Sequence, residues 1–438
     1  MPITSIHAAQ RLDSRGQPTV QTTFTNEHGT FVSIVPSGAS KGDYEAVELR
    51  DGDKSKYQGN GVLNAVHNVE NVLGPALIKA NLDPSTQLRE IDALMIDLDG
   101  TTDKSRLGAN AILSLSMCAA RAGAAAASMP LYAFLAKESE TSTDNFVLPV
   151  PFMNVLNGGD HSGNAMAFQE FMIAPVGATS FSEAVRFNAE TYSCLKNLIV
   201  NMHGKAAIGL GDEGGFAPPI SHPYEALDLL VRAIEDAGYT GKIKIGIDPA
   251  SQSFEKDGVY NMGFKTDNAQ DMSREELAGL YHSLLDKYPI VLLEDPFGQD
   301  DWEAWSAFNK DCKVELVGDD LLATNIDRVK TATAKNACNS LLLKINQIGT
   351  ISEALVAAKE AFSHQWSVFV SHRSGETTDD FIADLTVGVR TGHLKSGAPC
   401  RGERVAKYNR LMDIEDELRA RGVKCTYAGE GFRSAHTS

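Results

Sequence analysis

Charged residues close six apolar runs in the second half of the chain, at a nearly constant spacing. KIKIGID ends at Asp248, IVLLED at Glu294 and Asp295, VELVGDD at Asp319 and Asp320, and SLLLK at Lys344. SVFVSHRS closes on His372, Arg373 and Ser374, and a weaker run, GHLKSG, carries Lys395. From Asp248 to Glu294, Asp319, Lys344, His372 and Lys395 the steps are 46, 25, 25, 28 and 23 residues. Carboxylates in series are the donors that Mg²⁺ takes, with waters or substrate oxygens completing its shell. A lysine near two bound metal charges is easily shifted towards neutrality, which lets it act as a base. Arginine offers a planar fork, and serine a hydroxyl, to an oxyanion or a phosphate. The set predicts a divalent metal site facing cationic groups, and hence an anionic substrate handled with Mg²⁺.

One strand-end carboxylate is explained as well by a helix cap or a solvated loop. Three in series, opposite a lysine, favour a metal site. Lys344 lies in LLLKIN, where a charge has no reason to interrupt a buried strand unless the lysine snorkels from its end. Three further groups carry chemistry. Asp212 and Glu213 lie in GLGDEGGFAPP, with glycines on both sides, as in loops that admit a ligand. Gln169 and Glu170 interrupt the apolar AFQEFMI, and His161 sits in the Gly-rich turn NGGDHSG. SGASKG (37–42) is a small-residue loop, either a lid or a surface turn.

A step near 25 residues is one buried strand, one helix and two short loops, the unit of a parallel β/α barrel. In a barrel the carboxyl ends of the strands gather at one mouth, which brings these residues together. Residues 3 to 36 read as an antiparallel unit. Val20, Thr22 and Phe24 alternate with polar neighbours, residues 26–29 turn, and Phe31 to Val35 return. Residues 61 to 135 read as helical and close on the Ala-rich GANAILSLSMCAARAGAAAA. The polar KESETSTDN (137–145) marks a boundary, giving a first domain over 1–140 and a barrel over 141–438. Residues 223 to 238 place Leu227, Leu230, Val231 and Ile234 on one helix face ending at Gly238. Ser273 to Glu276 is a capping box ahead of Leu277, Leu280, Leu284 and Leu285.

At 438 residues the chain holds a barrel plus a second domain. A formal charge of −17 argues against nucleic-acid or anionic-membrane surfaces, while leaving room for a locally cationic pocket. No stretch approaches a membrane span, and the first residues lack a signal-peptide layout, so the expected compartment is the cytosol. The six cysteines show neither a CxxC pair nor zinc spacing and are expected to be reduced thiols.

DSRGQPT (13–19), SGASKG, ELRDGD (48–53), LGANAILSLS (107–116), NGGDH, QEFMIAP, GDEGG, EDPF, GDDL, LLLKINQIGT, VSHRSGET and KSGAP stand in one order along the chain. In that order they resemble the enolase family over nearly its whole length, with a eukaryotic, fungal-like character in GKIKIGID and EDPFGQDDWEAWSAF. The resemblance implies an α/β fold, a TIM-type barrel preceded by an α+β capping domain with a mobile loop at 37–42. It implies a Mg²⁺-dependent homodimeric lyase that interconverts 2-phosphoglycerate with phosphoenolpyruvate and water. Lys344 would be the base at C2, and Lys395 would steady the enediolate together with two Mg²⁺ ions. Asp248, Glu294 and Asp319 would hold the first ion and Ser40 the second. Glu213, assisted by Glu170 and Gln169, would protonate the departing C3 hydroxyl, which burial and a neighbouring Glu170 would favour. His161 would lie beside the substrate, and Arg373 and Ser374 would grip its phosphate. Ser371 and His372 would join Gln169, Glu170, Glu294, Asp319 and Lys395 among the substrate contacts.

The sequence departs from the family pattern in few places. Lys41 replaces the threonine of SGASTG, Gln17 an asparagine, and Gly402 the first serine of an RSER-like motif. Pro249 follows Asp248, and IGLGDEGG replaces NVGDEGG. None removes a catalytic group. A specialised paralogue acting on a related phosphorylated acid ranks second, and a non-catalytic structural or surface-binding role third.

Overall fold

A computed structural model describes residues 3–39 and 42–437. Ser40, expected at the second ion, and Lys41 beside it lie outside the described residues.

The chain opens with a three-stranded antiparallel sheet of β1 (Ile3–Leu12), β2 (Pro18–Asn26) and β3 (Gly29–Ile34), in that order. The alternation in β2 works as the sequence requires, since Val20, Thr22 and Phe24 are buried and Gln21, Thr23 and Thr25 are not. The buried face lies on the Ala-rich helix Ala109–Ala126, where the Thr22 and Ser114 hydroxyls meet at 2.6 Å. That helix is buried on all sides over most of its length, and only small side chains allow it. A Cβ on Gly123 would stand 2.4 Å from the Pro84 carbonyl oxygen and 2.8 Å from the Phe134 ring. On its other side Ser116 Oγ accepts the backbone N–H of Ile351 at 2.9 Å, docking this layer on a barrel helix. Among the described residues no single helix is long and apolar enough to cross a membrane.

Beyond the helix Leu131–Glu138 and a short coil comes β4 (Asn145–Leu148), followed by the barrel. Its strands are β5 (Val150–Asn157), β6 (Glu170–Ala174) and β7 (Lys244–Asp248). A small antiparallel sheet of β8 (Glu255–Lys256), β9 (Val259–Asn261) and β10 (Asp271–Met272) follows. The barrel resumes with β11 (Ile290–Glu294), β12 (Glu315–Gly318), β13 (Ser340–Leu343), β14 (Ser367–Ser371) and β15 (His393–Lys395), and closes by pairing β15 with β5. Finally β16 (Lys424–Tyr427) runs parallel to β4.

Two differences from the expected regular barrel have physical causes. β6 is antiparallel to both neighbours rather than parallel. The connection from β5 holds only a single turn of 3₁₀ helix, so the chain turns back, because a parallel return needs a crossover, usually a helix. Two helices in succession, Phe181–His203 and Pro223–Asp236, then lead to β7. The step of 46 residues from Asp248 to Glu294 contains the β8–β10 sheet ahead of the helix Arg274–Lys287.

The helix signals hold in most details. Ser273 and Glu276 form the expected capping box, and Leu277 and Leu284 are buried. Leu227, Leu230 and Ile234 are buried, but Val231 lies at the edge of its helix face and is 38% exposed. The barrel interior is filled by Val150, Phe152, Met172, Leu292, Val317, Leu342 and Phe369. The C-terminal turn closes the floor with Phe432, whose ring lies 5.4 Å from that of Phe152. Gly392 (φ +82°) permits this approach, since a Cβ there would meet the Phe432 carbonyl oxygen at 2.1 Å. All six cysteines are free thiols.

Candidate active site

The strand ends deliver what the spacing predicted. Asp248 closes β7, Glu294 closes β11, Ser371 closes β14 and Lys395 closes β15. Asp319 follows β12, Lys344 follows β13, and His372, Arg373 and Ser374 follow β14. Glu170 corrects the sequence reading. It does not interrupt a strand but is the first residue of β6, and the reversal of that strand turns its amino end to the mouth. His161 comes from the 3₁₀ turn Gly159–His161, and Glu213 from the loop between the two helices that precede β7. With Gln169 they line one cleft that also holds Lys344, Lys395, Asp319, Ser371, His372, Arg373 and Ser374.

Lys395 stands at the centre and is 1% exposed. Its ammonium donates to Glu294 Oε1 at 2.7 Å, Glu170 Oε2 at 2.9 Å and Asp248 Oδ2 at 3.5 Å. Burial pulls this lysine down, but Glu170, Glu294 and Asp248 together hold it well above its ordinary value. It is therefore a fixed cation. Oxygens of Glu170, Asp248 and Glu294 lie within 4.8 Å of one another, and Glu294 Oε2 is buried without a hydrogen-bond partner. Asp319 belongs to a second group with Asp295 and Asp320, again within 4.8 Å. Asp295 accepts the backbone N–H groups of Asp319 and Asp320 at 2.8 Å each from a left-handed backbone, φ +39°. Burial and then Asp319 push Asp320 up to about 7.

Lys344 pairs with Asp319 Oδ2, while Gln347 Nε2 donates to Oδ1 at 2.8 Å. Burial lowers the lysine, and Asp319 more than reverses that. The expected drift towards neutrality is thus opposed here by one carboxylate, and a cation that engages Asp319 removes that opposition.

Glu213 and Glu170 divide their proton contrary to expectation. Burial pushes Glu213 up, yet His372 and His161, with Arg404 behind them, hold it well below the carboxylate range. Burial and the charge of Glu213 push Glu170 well above it, so a proton shared by the two rests on Glu170. Asn154 donates to Glu213 Oε2 at 2.8 Å. Two histidine nitrogens face the same carboxylate, His372 Nε2 at 3.3 Å and His161 Nδ1 at 3.4 Å. Burial pushes His372 down to about 4 and lowers His161 too. Arg404 fixes the His372 tautomer by donating to Nδ1 at 2.5 Å, which leaves the ring proton on Nε2, towards Glu213. Nearby, Ser374 Oγ accepts the backbone N–H of Ala39 at 2.7 Å, and Ser371 Oγ donates to the His372 carbonyl at 2.8 Å.

Among the described residues, Glu45, Glu170, Glu213, Asp248, Glu294, Asp295, Asp319 and Asp320 face Lys344, Arg373 and Lys395 in this region. So many carboxylates, six of them buried and one with an orphaned oxygen, against so few cations, fit a divalent cation held by oxygen donors. Sequence reasoning placed Asp295 and Asp320 at run ends without a role, and did not assign Glu45, Asn154, Gln347 or Arg404 to the site. The doublets ED and DD displayed the first two. Nothing in the spacing pointed to the rest, which reach the cleft through tertiary contacts.

Carboxylates gathered around two lysines at a barrel mouth make a site suited to acid–base work beside a bound cation. Two family models agree with it: "Enolase, N-terminal domain" over residues 3–135 and "Enolase, C-terminal TIM barrel domain" over residues 145–436. Together they span nearly the whole chain, which belongs to the enolase family.

Proposed function

We propose that the protein interconverts 2-phosphoglycerate with phosphoenolpyruvate and water, with two Mg²⁺ ions. The observation that carries this is one cleft that holds buried Lys395 and half-buried Lys344 with two buried glutamates of opposite proton preference. A β-elimination of water needs a base at C2 and an acid at C3. Lys344 takes the C2 proton, and Asp319, once engaged as a ligand, no longer holds the lysine's own proton in place. Lys395 stays charged and stabilises the negative charge gathering on the substrate carboxylate. Glu213 hands a proton to the departing C3 hydroxyl. Since the shared proton rests on Glu170, it passes to Glu213 as the substrate enters, with Gln169 and His161 holding the hydroxyl end. Arg373 and Ser374 bind the phosphate, flanked by Ser371 and His372.

Asp248, Glu294 and Asp319 would hold the first ion and Ser40 the second. When bound, Mg²⁺ supplies positive charge that acidifies C2 and neutralises the carboxylate. The same reading makes the protein a cytosolic homodimer of fungal-like or other eukaryotic type, which light scattering and cell fractionation would check. The test is direct. Purified protein with 2-phosphoglycerate and Mg²⁺ should raise the ultraviolet absorbance of phosphoenolpyruvate, and EDTA should stop the rise. Absence of both phosphoenolpyruvate and solvent exchange at C2 would sink the assignment.

A further inference from the structure

The guanidinium assigned above to the phosphate is gripped by a carboxylate of the same chain. Arg373 Nη1 donates to Glu45 Oε2 at 2.9 Å and Nη2 donates to Oε1 at 3.1 Å, the parallel fork that arginine also offers to a phosphate. Nη1 donates further to Asn346 Oδ1 at 3.0 Å. Both partners are buried, with 6% and 7% of their side chains exposed. Glu45 is held in position from its own side. Gly42 N donates to Oε1 at 3.2 Å, and the flanking residues are tied to the barrel. Gln299 Nε2 donates to Asp43 Oδ2 at 2.6 Å, and Tyr44 OH donates to Asp300 at 3.0 Å beneath the Arg328 guanidinium. Glu45 also adds its charge to the group of Asp319 and Asp320, pushing Asp320 up. A carboxylate set beside two others is unfavourable, and the arginine fork is what compensates it.

A phosphate monoester and Glu45 require the same two N–H groups. We propose that Glu45 is a built-in competitor for the anion at Arg373. It sets the affinity of the site for phosphorylated ligands, which must displace its carboxylate from the fork. This rests on Arg373 being the phosphate's arginine, and the experiment separates the two claims. Inorganic phosphate is titrated calorimetrically into full-length wild type, Glu45→Gln, Glu45→Ala and Arg373→Met, all in Mg²⁺ buffer, with thermal melts to establish folding. Loss of a charge-assisted contact from the competitor should tighten phosphate binding about tenfold in both Glu45 variants. A merely structural role would weaken it instead. Arg373→Met should weaken it by at least a similar factor. If neither Glu45 variant folds, Glu45→Asp keeps the charge but is too short for the fork, and tightening is again expected. Weakened binding in Arg373→Met with unchanged or weaker binding in the Glu45 variants overturns the competitor and keeps the phosphate assignment. Unchanged binding in Arg373→Met overturns both.

Discussion

The barrel buries charge at both ends, and the two ends treat it differently. At the floor, Glu315 Oε1 accepts from Ser340 and Ser367 hydroxyls at 2.6 Å each and faces His393 Nε2 at 2.8 Å. His393 Nδ1 lies 3.1 Å from the Thr391 carbonyl oxygen, and its ring stacks on Phe369 at 4.5 Å. Burial would raise Glu315, but His393 and the two hydroxyls hold it below the carboxylate range. Glu315 Oε2 has no hydrogen-bond partner among the described residues. At the mouth, by contrast, Glu170, Asp248 and Asp295 are all pushed well above their range by burial and then by a neighbouring carboxylate, Glu213, Glu294 and Asp320 respectively. One carboxylate matched to one imidazole is a structural solution. A surplus of carboxylates is tolerable only if something positive is to join them.

The largest effect expected from breaking the mouth is chemical. Lys344→Ala should lower turnover by about 10²–10⁴-fold, the usual contribution of a general base, with substrate still bound. Glu213→Gln should still exchange the C2 proton with solvent, followed by NMR, but fail to expel the hydroxyl. Exchange at a wild-type rate in Lys344→Ala would end its assignment as the base.

Next comes the thermodynamic contrast. Glu315→Ala leaves His393 without its carboxylate and should cost about 3–5 kcal/mol in urea unfolding, with no recovery on adding Mg²⁺. Lys395→Met strips the cation from Glu170, Asp248 and Glu294, and Mg²⁺ should restore much of its lost melting temperature by mass action. Equal Mg²⁺ rescue of both variants would erase the distinction between floor and mouth.

The two ends should also respond to pH with opposite slopes. Glu315 is depressed in the folded state, so its contribution is present above the unfolded value of about 4.3 and lost as pH falls through the folded value. Asp320 is raised to about 7, so the stability due to its proton is present below about 3.9 and lost as pH rises through about 7. Metal-free protein should therefore lose stability on the mouth's account between these limits. A cation must displace that proton, so the melting-temperature gain from Mg²⁺ should be larger at pH 8 than at pH 5, by about 2–4 °C. A gain independent of pH would separate Asp320 from the metal site.

The mouth was largely legible because an apolar run that stops at a charge reports a strand end directly. The same signal misleads about the floor. Glu315 interrupts VELVGDD as Lys344 closes LLLKIN, yet one faces the floor and the other the mouth. Its partner His393 lies 78 residues away in GHLKSG, the run singled out only for Lys395. β5 and β6 escaped the strand spacing because they form a hairpin rather than a β/α unit, and Glu170 therefore reads as an interruption instead of a strand start. Which of Glu170 and Glu213 keeps the proton depends on His372, His161 and Arg404, three residues from three segments. Such a balance has no sequence period.

The smallest effect expected lies just outside the mouth, at Gly402, where the family pattern has serine. It is the first residue of the helix Gly402–Ala420, exposed, and a Cβ there would meet nothing within 4 Å. The preceding Arg401 already carries the left-handed turn, φ +68°, so Gly402 has no conformational duty of its own. Gly402→Ala should then stabilise the protein by about 0.4–1 kcal/mol through the unfolded chain. Yet the same helix presents Arg404, whose guanidinium fixes the His372 tautomer and reaches the Asp212, Arg373 and Ser374 carbonyls. If the glycine is only a loss of helix propensity, stability rises in urea titrations while kcat and its pH profile stay put. If it instead lends the helix start a freedom that Arg404 needs, the stabilised variant shifts the profile governed by Glu213. A shifted profile would extend the mouth by one helix turn, and an unchanged one would end it at Arg404.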